Sequence, residues 1–88
     1  MEFKNLDCNI LYRVDEERRR ANLQKTVYPE VIYEAFADIP AKNITETLWF
    51  LNNRGLLDLD PDASKLSLTA TGKDAVKKMR RRLERLQA

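Results

Sequence analysis

Two glycines and three prolines in 88 residues leave this chain few places to turn tightly. An all-β design with many hairpins is therefore excluded, and the few turn residues become landmarks in a mostly helical pattern. Apolar residues make up 43% and charged residues 34% of the chain. That balance predicts one small folded domain, neither a disordered tail nor a membrane span. There is no internal repeat and no Gly/Ser-rich linker.

Leu6, Ile10, Leu11 and Val14 recur at helical intervals behind Asn5, a plausible N-cap, and the helix continues into Asp15-Glu16-Glu17-Arg18-Arg19-Arg20. In that run acids precede bases by three or four residues, the favourable orientation for pairing on a helix surface. Thr26-Val27-Tyr28 is β-prone, and Pro29 opens a second helix with Val31, Ile32, Ala35, Phe36 and Ile39 as its buried stripe. Pro40 ends it and opens a third helix, Ala41 to Asn53, whose core face is Ile44, Thr47, Leu48 and Leu51. Gly55 stops that helix. A short strand at Leu56-Leu57-Asp58-Leu59, a turn-rich loop and an alternating Leu66-Ser67-Leu68 then form a hairpin. Thr69 caps a last helix in which Val76, Met79, Leu83 and Leu86 step as a heptad seam.

The net charge of +2 conceals an asymmetry. Residues 73–88 hold seven basic and two acidic groups, while residues 1–72 hold nine basic and twelve acidic ones. A basic tail on an acidic body predicts a polyanionic or acidic partner. Histidine is absent and Cys8 is the one cysteine, which removes His-based acid/base chemistry, most zinc sites and disulfide frameworks. No Gly-rich phosphate loop or nucleophile elbow is present. The chain is expected to be no enzyme and to need no cofactor. Asp58-x-Asp60-x-Asp62 has the opening of a calcium loop, but Ala63 stands where glycine is needed and Thr69 where the bidentate glutamate belongs. Charged residues interrupt any apolar run near the N-terminus and no run reaches spanning length, so the expectation is a cytoplasmic protein with no membrane partner.

Three phrases in order carry a family resemblance. Val31-Ile32-Tyr33-Glu34-Ala35-Phe36 looks like the first helix of a helix-turn-helix pair. Ile44-Thr45-Glu46-Thr47-Leu48, continuing through Leu51-Asn52-Asn53-Arg54-Gly55-Leu56-Leu57, resembles a recognition helix running into L-x-x-x-G-L-[LI]. Leu66-Ser67-Leu68-Thr69-Ala70-Thr71-Gly72 is similar to the L-T-x-x-G entry to the helix after a wing. The chain thus resembles winged helix-turn-helix regulators of the MarR and PadR type over residues 26–76. The resemblance implies a mostly α fold with a small two- or three-stranded β wing and flanking N- and C-terminal helices. Helix-turn-helix would span about 29–54, the wing about 56–68 and the basic C-terminal helix about 70–87. It also implies a small dimeric transcriptional regulator that binds double-stranded DNA.

On that reading the helix 41–53 enters the major groove. Its outward positions are Lys42, Asn43, Thr45, Glu46, Trp49 and Phe50. Asn43 and Thr45 can read base edges, Lys42 can meet a phosphate and Glu46 can accept from a cytosine amine. Lys73, Lys77, Arg80 and Arg81 form a phosphate-clamping stripe, joined by Arg18, Arg19, Arg20 and Lys25. Val76, Met79, Leu83 and Leu86 serve as the homodimer interface, shared with packing on the first helix. An acidic wing, Glu46 and the outward Trp49-Phe50 pair support a different reading, a winged helix used as a protein-interaction module.

Overall fold

The computed structural model describes residues 3–20 and 26–87. In chain order it contains α1 (Leu6–Arg20), α2 (Pro29–Ala35), α3 (Ala41–Asn53), β1 (Leu57–Leu59), β2 (Leu66–Leu68) and α4 (Ala70–Gln87). A mostly helical chain with one small antiparallel hairpin is what the sequence pattern predicts. Lys25, expected among the phosphate clamps, lies outside the described residues.

The hairpin pairs Leu57 with Leu68, Asp58 with Ser67 and Leu59 with Leu66. With a period of two, its four leucines fall on one buried face while Asp58 faces out. On the other edge of β2, Val27 forms an antiparallel bridge to Leu66, exchanging N–H···O bonds of 2.7 and 2.9 Å. The β-prone segment before Pro29 is thus tied to the hairpin and carries α2 into place.

The core gathers Ile10, Leu11 and Val14 from α1, Ile32 and Phe36 from the α2 end, and Ile44, Leu48 and Leu51 from α3. The four hairpin leucines, Val27 and Val76 of α4 complete it. Thr47, expected on the α3 core face, is half-buried instead, its hydroxyl donating to the Asn43 carbonyl at 2.8 Å. The α2 stripe also departs from expectation. Phe36 leaves helical geometry (φ −120°, ψ 44°), and Ile39 closes the following turn on the Phe36 carbonyl at 3.0 Å. Ala35 is consequently exposed rather than buried. Pro40 accepts from the Asn43 and Ile44 amides and so starts α3.

The exit of α3 and the entry of α4 lock together. Gly55 adopts φ +74°, its amide bonds the Asn52 carbonyl, and the Leu56 amide bonds the Leu51 carbonyl. This is a Schellman ending, with Leu51 and Leu56 as its apolar pair. Asn52 Oδ1 accepts from the Leu59 amide at 2.9 Å, fixing the hairpin to the helix. Thr69 caps α4 by accepting from the Gly72 amide at 3.0 Å, and its hydroxyl donates to the Gly55 carbonyl at 2.6 Å.

Gly72 sits in that knot because nothing larger fits. A Cβ there would lie 2.0 Å from the Leu56 carbonyl oxygen, a backbone atom that cannot rotate aside. Gly72→Ala is expected to destabilise the chain by about 1–3 kcal/mol through this overlap, read as a lower urea midpoint at unchanged m-value.

No helix among the described residues is long and apolar enough to cross a membrane.

Candidate functional site

Burial of Ile44, Leu48 and Leu51 fixes which side of α3 faces away from the body. Lys42, Asn43, Glu46, Phe50 and Asn53 are exposed there. Lys42 Nζ lies 4.0 Å from Glu46 Oε1, a weak surface pair. Thr45 does not belong to this face. It is half-buried, its hydroxyl donates to the Ala41 carbonyl at 3.0 Å, and it hydrogen-bonds the Tyr33 hydroxyl of α2. With its side chain engaged twice, Thr45 braces the α2–α3 corner and is removed from the base-reading set. Trp49 packs partly buried against the core, whereas Phe50 is 47% exposed. The Arg54 guanidinium stands over the Phe50 ring at 5.5 Å from its centroid.

The hairpin tip is acidic. Asp58, Asp60 and Asp62 are exposed and Lys65 is the basic residue beside them. Asp62 Oδ1 accepts from the Ser64 hydroxyl at 2.7 Å and from the Ser64 amide at 3.1 Å, which holds the carboxyl below its usual range. Ala63 takes φ 57° to complete this turn.

On α4, Arg80 is not part of the exposed stripe expected of it. Four residues on from Val76, it falls on the buried side and reaches α1. Arg80 Nη2 lies 2.6 Å from both Asp15 Oδ2 and Glu16 Oε1, and its Nε is 3.0 Å from Asp15. Its guanidinium also covers the Tyr12 ring at 4.6 Å and donates to the Tyr12 hydroxyl at 3.3 Å. Asp15 is 2% exposed and takes further bonds from Arg18 at 2.7 Å and Arg19 at 2.9 Å. Burial pushes the Asp15 carboxyl up, but the hydrogen bonds from Arg18, Arg80 and Arg19 outweigh it and hold the group below its ordinary value. For Arg80, burial works against the charge, and the bonds to Glu16 and Asp15 more than restore it. The guanidiniums of Arg18 and Arg19 are thus engaged by Asp15, and Arg20 lies 3.5 Å from Glu17. Of the phosphate clamps expected at the end of α1, Arg18 is a half-buried strut, whereas Arg19 and Arg20 stay exposed beside their carboxylate partners.

The other α4 cations differ. Lys73 and Lys77 are exposed, and Lys78, Arg81, Arg82 and Arg85 line a crevice of about 250 Å³. Among the described residues none of these four is in an ion pair. At intervals of three, one and three they share the helix face opposite Val76. Of the expected set, the structure therefore keeps Lys73, Lys77 and Arg81 outward, and the sequence reading missed that Lys78, Arg82 and Arg85 join Arg81. The signal was their i, i+3, i+4, i+7 spacing.

The heptad seam divides. Val76 is 2% exposed and Met79 packs on the same core, so both are used within the chain. Leu83 is half-buried and Leu86 is 78% exposed.

A cleft of about 380 Å³ between α1 and the α2 turn is lined by Asn9, Tyr12, Arg13, Glu16, Phe36 and Asp38. Most of its polar groups are engaged elsewhere: Arg13 with Glu17, Glu16 with Arg80, and Asn9 with the Phe3 and Asn5 carbonyls. Burial and the neighbouring Asp7 push the Cys8 thiol up, which disfavours a reactive thiolate.

A scan against family models, a search of curated proteins and a search of solved structures each find no match for this chain.

Proposed function

We propose that this is a DNA-binding winged-helix protein, a small dimeric transcriptional regulator in which α3 lies in the major groove and α4 clamps the phosphate backbone. The observation that carries the reading is the α4 face of Lys78, Arg81, Arg82 and Arg85, four cations around one crevice with no carboxylate partner among the described residues. Like charges three and four residues apart on a helix repel. On α1 and where α4 meets it, arginines are neutralised by buried or half-buried acids: Asp15 for Arg18, Arg19 and Arg80, and Glu17 for Arg13. A face whose four cations outnumber the exposed Asp74 one turn before Lys78 fits a polyanion, whose phosphates would release counterions on contact.

Lys42, Asn43 and Glu46 supply groups for base edges and a phosphate at the start of α3. Asp58, Asp60 and Asp62 would be held clear of the backbone, so the hairpin adds little to affinity. The acidic hairpin and exposed Phe50 favour the second reading, a protein-interaction module. Selection of duplexes from a random library, followed by footprinting, separates the two. Enrichment of one site with protection over about one helical turn per subunit is expected for the regulator; no enrichment would leave the protein module.

Dimerisation would rest on Leu83 and Leu86, the part of the seam not consumed by the core. Leu83→Asp with Leu86→Asp is expected to halve the mass seen by light scattering and to remove the concentration dependence of Tm that association confers. A wild-type mass equal to one chain would remove the dimer from the proposal.

A further inference from the structure

We infer that Phe50 is a specificity residue that reads the 5-methyl group of a thymine, with Arg54 held on its ring as a positioned cation. The inference rests on the DNA-binding reading. Asn43, Glu46, Phe50 and Arg54 follow one another at intervals of three, four and four, one stripe along the outward side of α3 and its end. Phe50 is the one large apolar side chain of α3 that stays exposed, at 47%, although its neighbour Trp49 is tucked against the core. The fold therefore leaves about half of Phe50 uncovered.

One side of the ring is taken by the Arg54 guanidinium, 5.5 Å from the centroid. That contact restrains a long cation that would otherwise be free to rotate. Arg54 is exposed and has no carboxylate partner among the described residues, so its remaining donors face outward for a phosphate or a guanine. What remains of Phe50 is an apolar edge with nothing to hydrogen-bond. In the major groove the apolar feature available to such a group is the thymine methyl. Asn43, two turns earlier on the same stripe, carries the amide that suits adenine. The stripe is built for a site containing A·T pairs.

The test replaces each thymine of a selected duplex in turn by deoxyuridine, which deletes the methyl and leaves the pairing groups intact. Wild type and Phe50→Ala are titrated against each duplex. The expected result is one or two adjacent positions where deoxyuridine weakens wild-type binding roughly four-fold, the weight of one methyl-sized group withdrawn from water. Phe50→Ala is expected to bind thymine and deoxyuridine equally at those positions. Arg54→Gln is expected to lower the salt slope by about one contact. Binding that is indifferent to every methyl deletion, or a loss that persists in Phe50→Ala, would overturn the Phe50 assignment and leave DNA binding standing. Failure of the wild-type chain to bind any duplex would overturn both, and would give exposed Phe50 to a protein partner.

Discussion

Asp15→Ala is expected to lower stability by about 3 kcal/mol, the lower end of the range for breaking a buried ion pair by removing one partner. The loss is large because the Asp15 carboxylate, 2% exposed, accepts from Arg18, Arg19 and Arg80 and ties α1 to α4 across 65 residues of sequence. It sits at the lower end because Arg19 is half exposed and can rehydrate when released. For a domain of this size, thermal denaturation should show Tm falling by roughly 10–25 °C. Asp15→Leu combined with Arg80→Met should recover much of the loss, since a packed apolar pair can replace a buried ionic one. A double variant no better than Asp15→Ala would place the energy elsewhere.

The same carboxylate sets a pH dependence. Its pKa in the folded chain lies below the unfolded value. The folded state therefore gains from Asp15 ionisation at any pH above the unfolded value of about 3.9. That gain is lost as pH falls through the depressed folded value. Wild-type stability should decline below about pH 4, and the decline should be shallower in Asp15→Ala. Equal acid limbs in the two would contradict the assignment.

Neutralising the α4 face is expected to have the largest effect on binding. Lys78→Gln, Arg81→Gln, Arg82→Gln and Arg85→Gln together should reduce the slope of log K against log salt by about 3–4, at roughly 0.9 for each phosphate contact. At 0.1 M salt this is an affinity loss of about a thousand-fold. The loss should be uniform across sequences, because phosphate contacts position and base contacts specify. Stability should move the other way or not at all. These side chains form no ion pair among the described residues, and removing adjacent like charges relieves repulsion. Full retention of binding by the quadruple variant would take α4 out of the interface. Arg80→Gln is the contrasting variant: it should destabilise the fold first and affect DNA only through that.

Much of this fold was legible from local pattern. The spacing of Ile44, Leu48 and Leu51 with Gly55 behind them marked α3, and the structure shows the Schellman bonds that the glycine permits. Thr69 was readable as a cap for the same reason: its partner Gly72 is three residues away. What escaped depends on contacts distant in sequence. The Asp15–Arg20 run has the spacing of a self-neutralising surface, and nothing in it reveals that Arg80 closes over Asp15. Thr45 is outward by helix angle, yet Tyr33 of α2 captures its hydroxyl. Phe36 and Ile39 keep the α2 period alive although the backbone has already turned after Ala35. The reason for Gly72, the Leu56 carbonyl pressed against it, exists only once α3 and α4 meet. The candidate site followed suit. Counting charges located a basic α4, but which cations are free was decided by the pairing of Arg80 and by the helix face that Val76 buries.

DNA binding by the full chain is tested by fluorescence anisotropy of a labelled mixed-sequence duplex across a salt series. Phosphate-backed binding in the micromolar range at low salt is expected, with affinity falling steeply and linearly on a log–log plot. Absence of binding at the lowest salt, or an affinity that does not respond to salt, would contradict it.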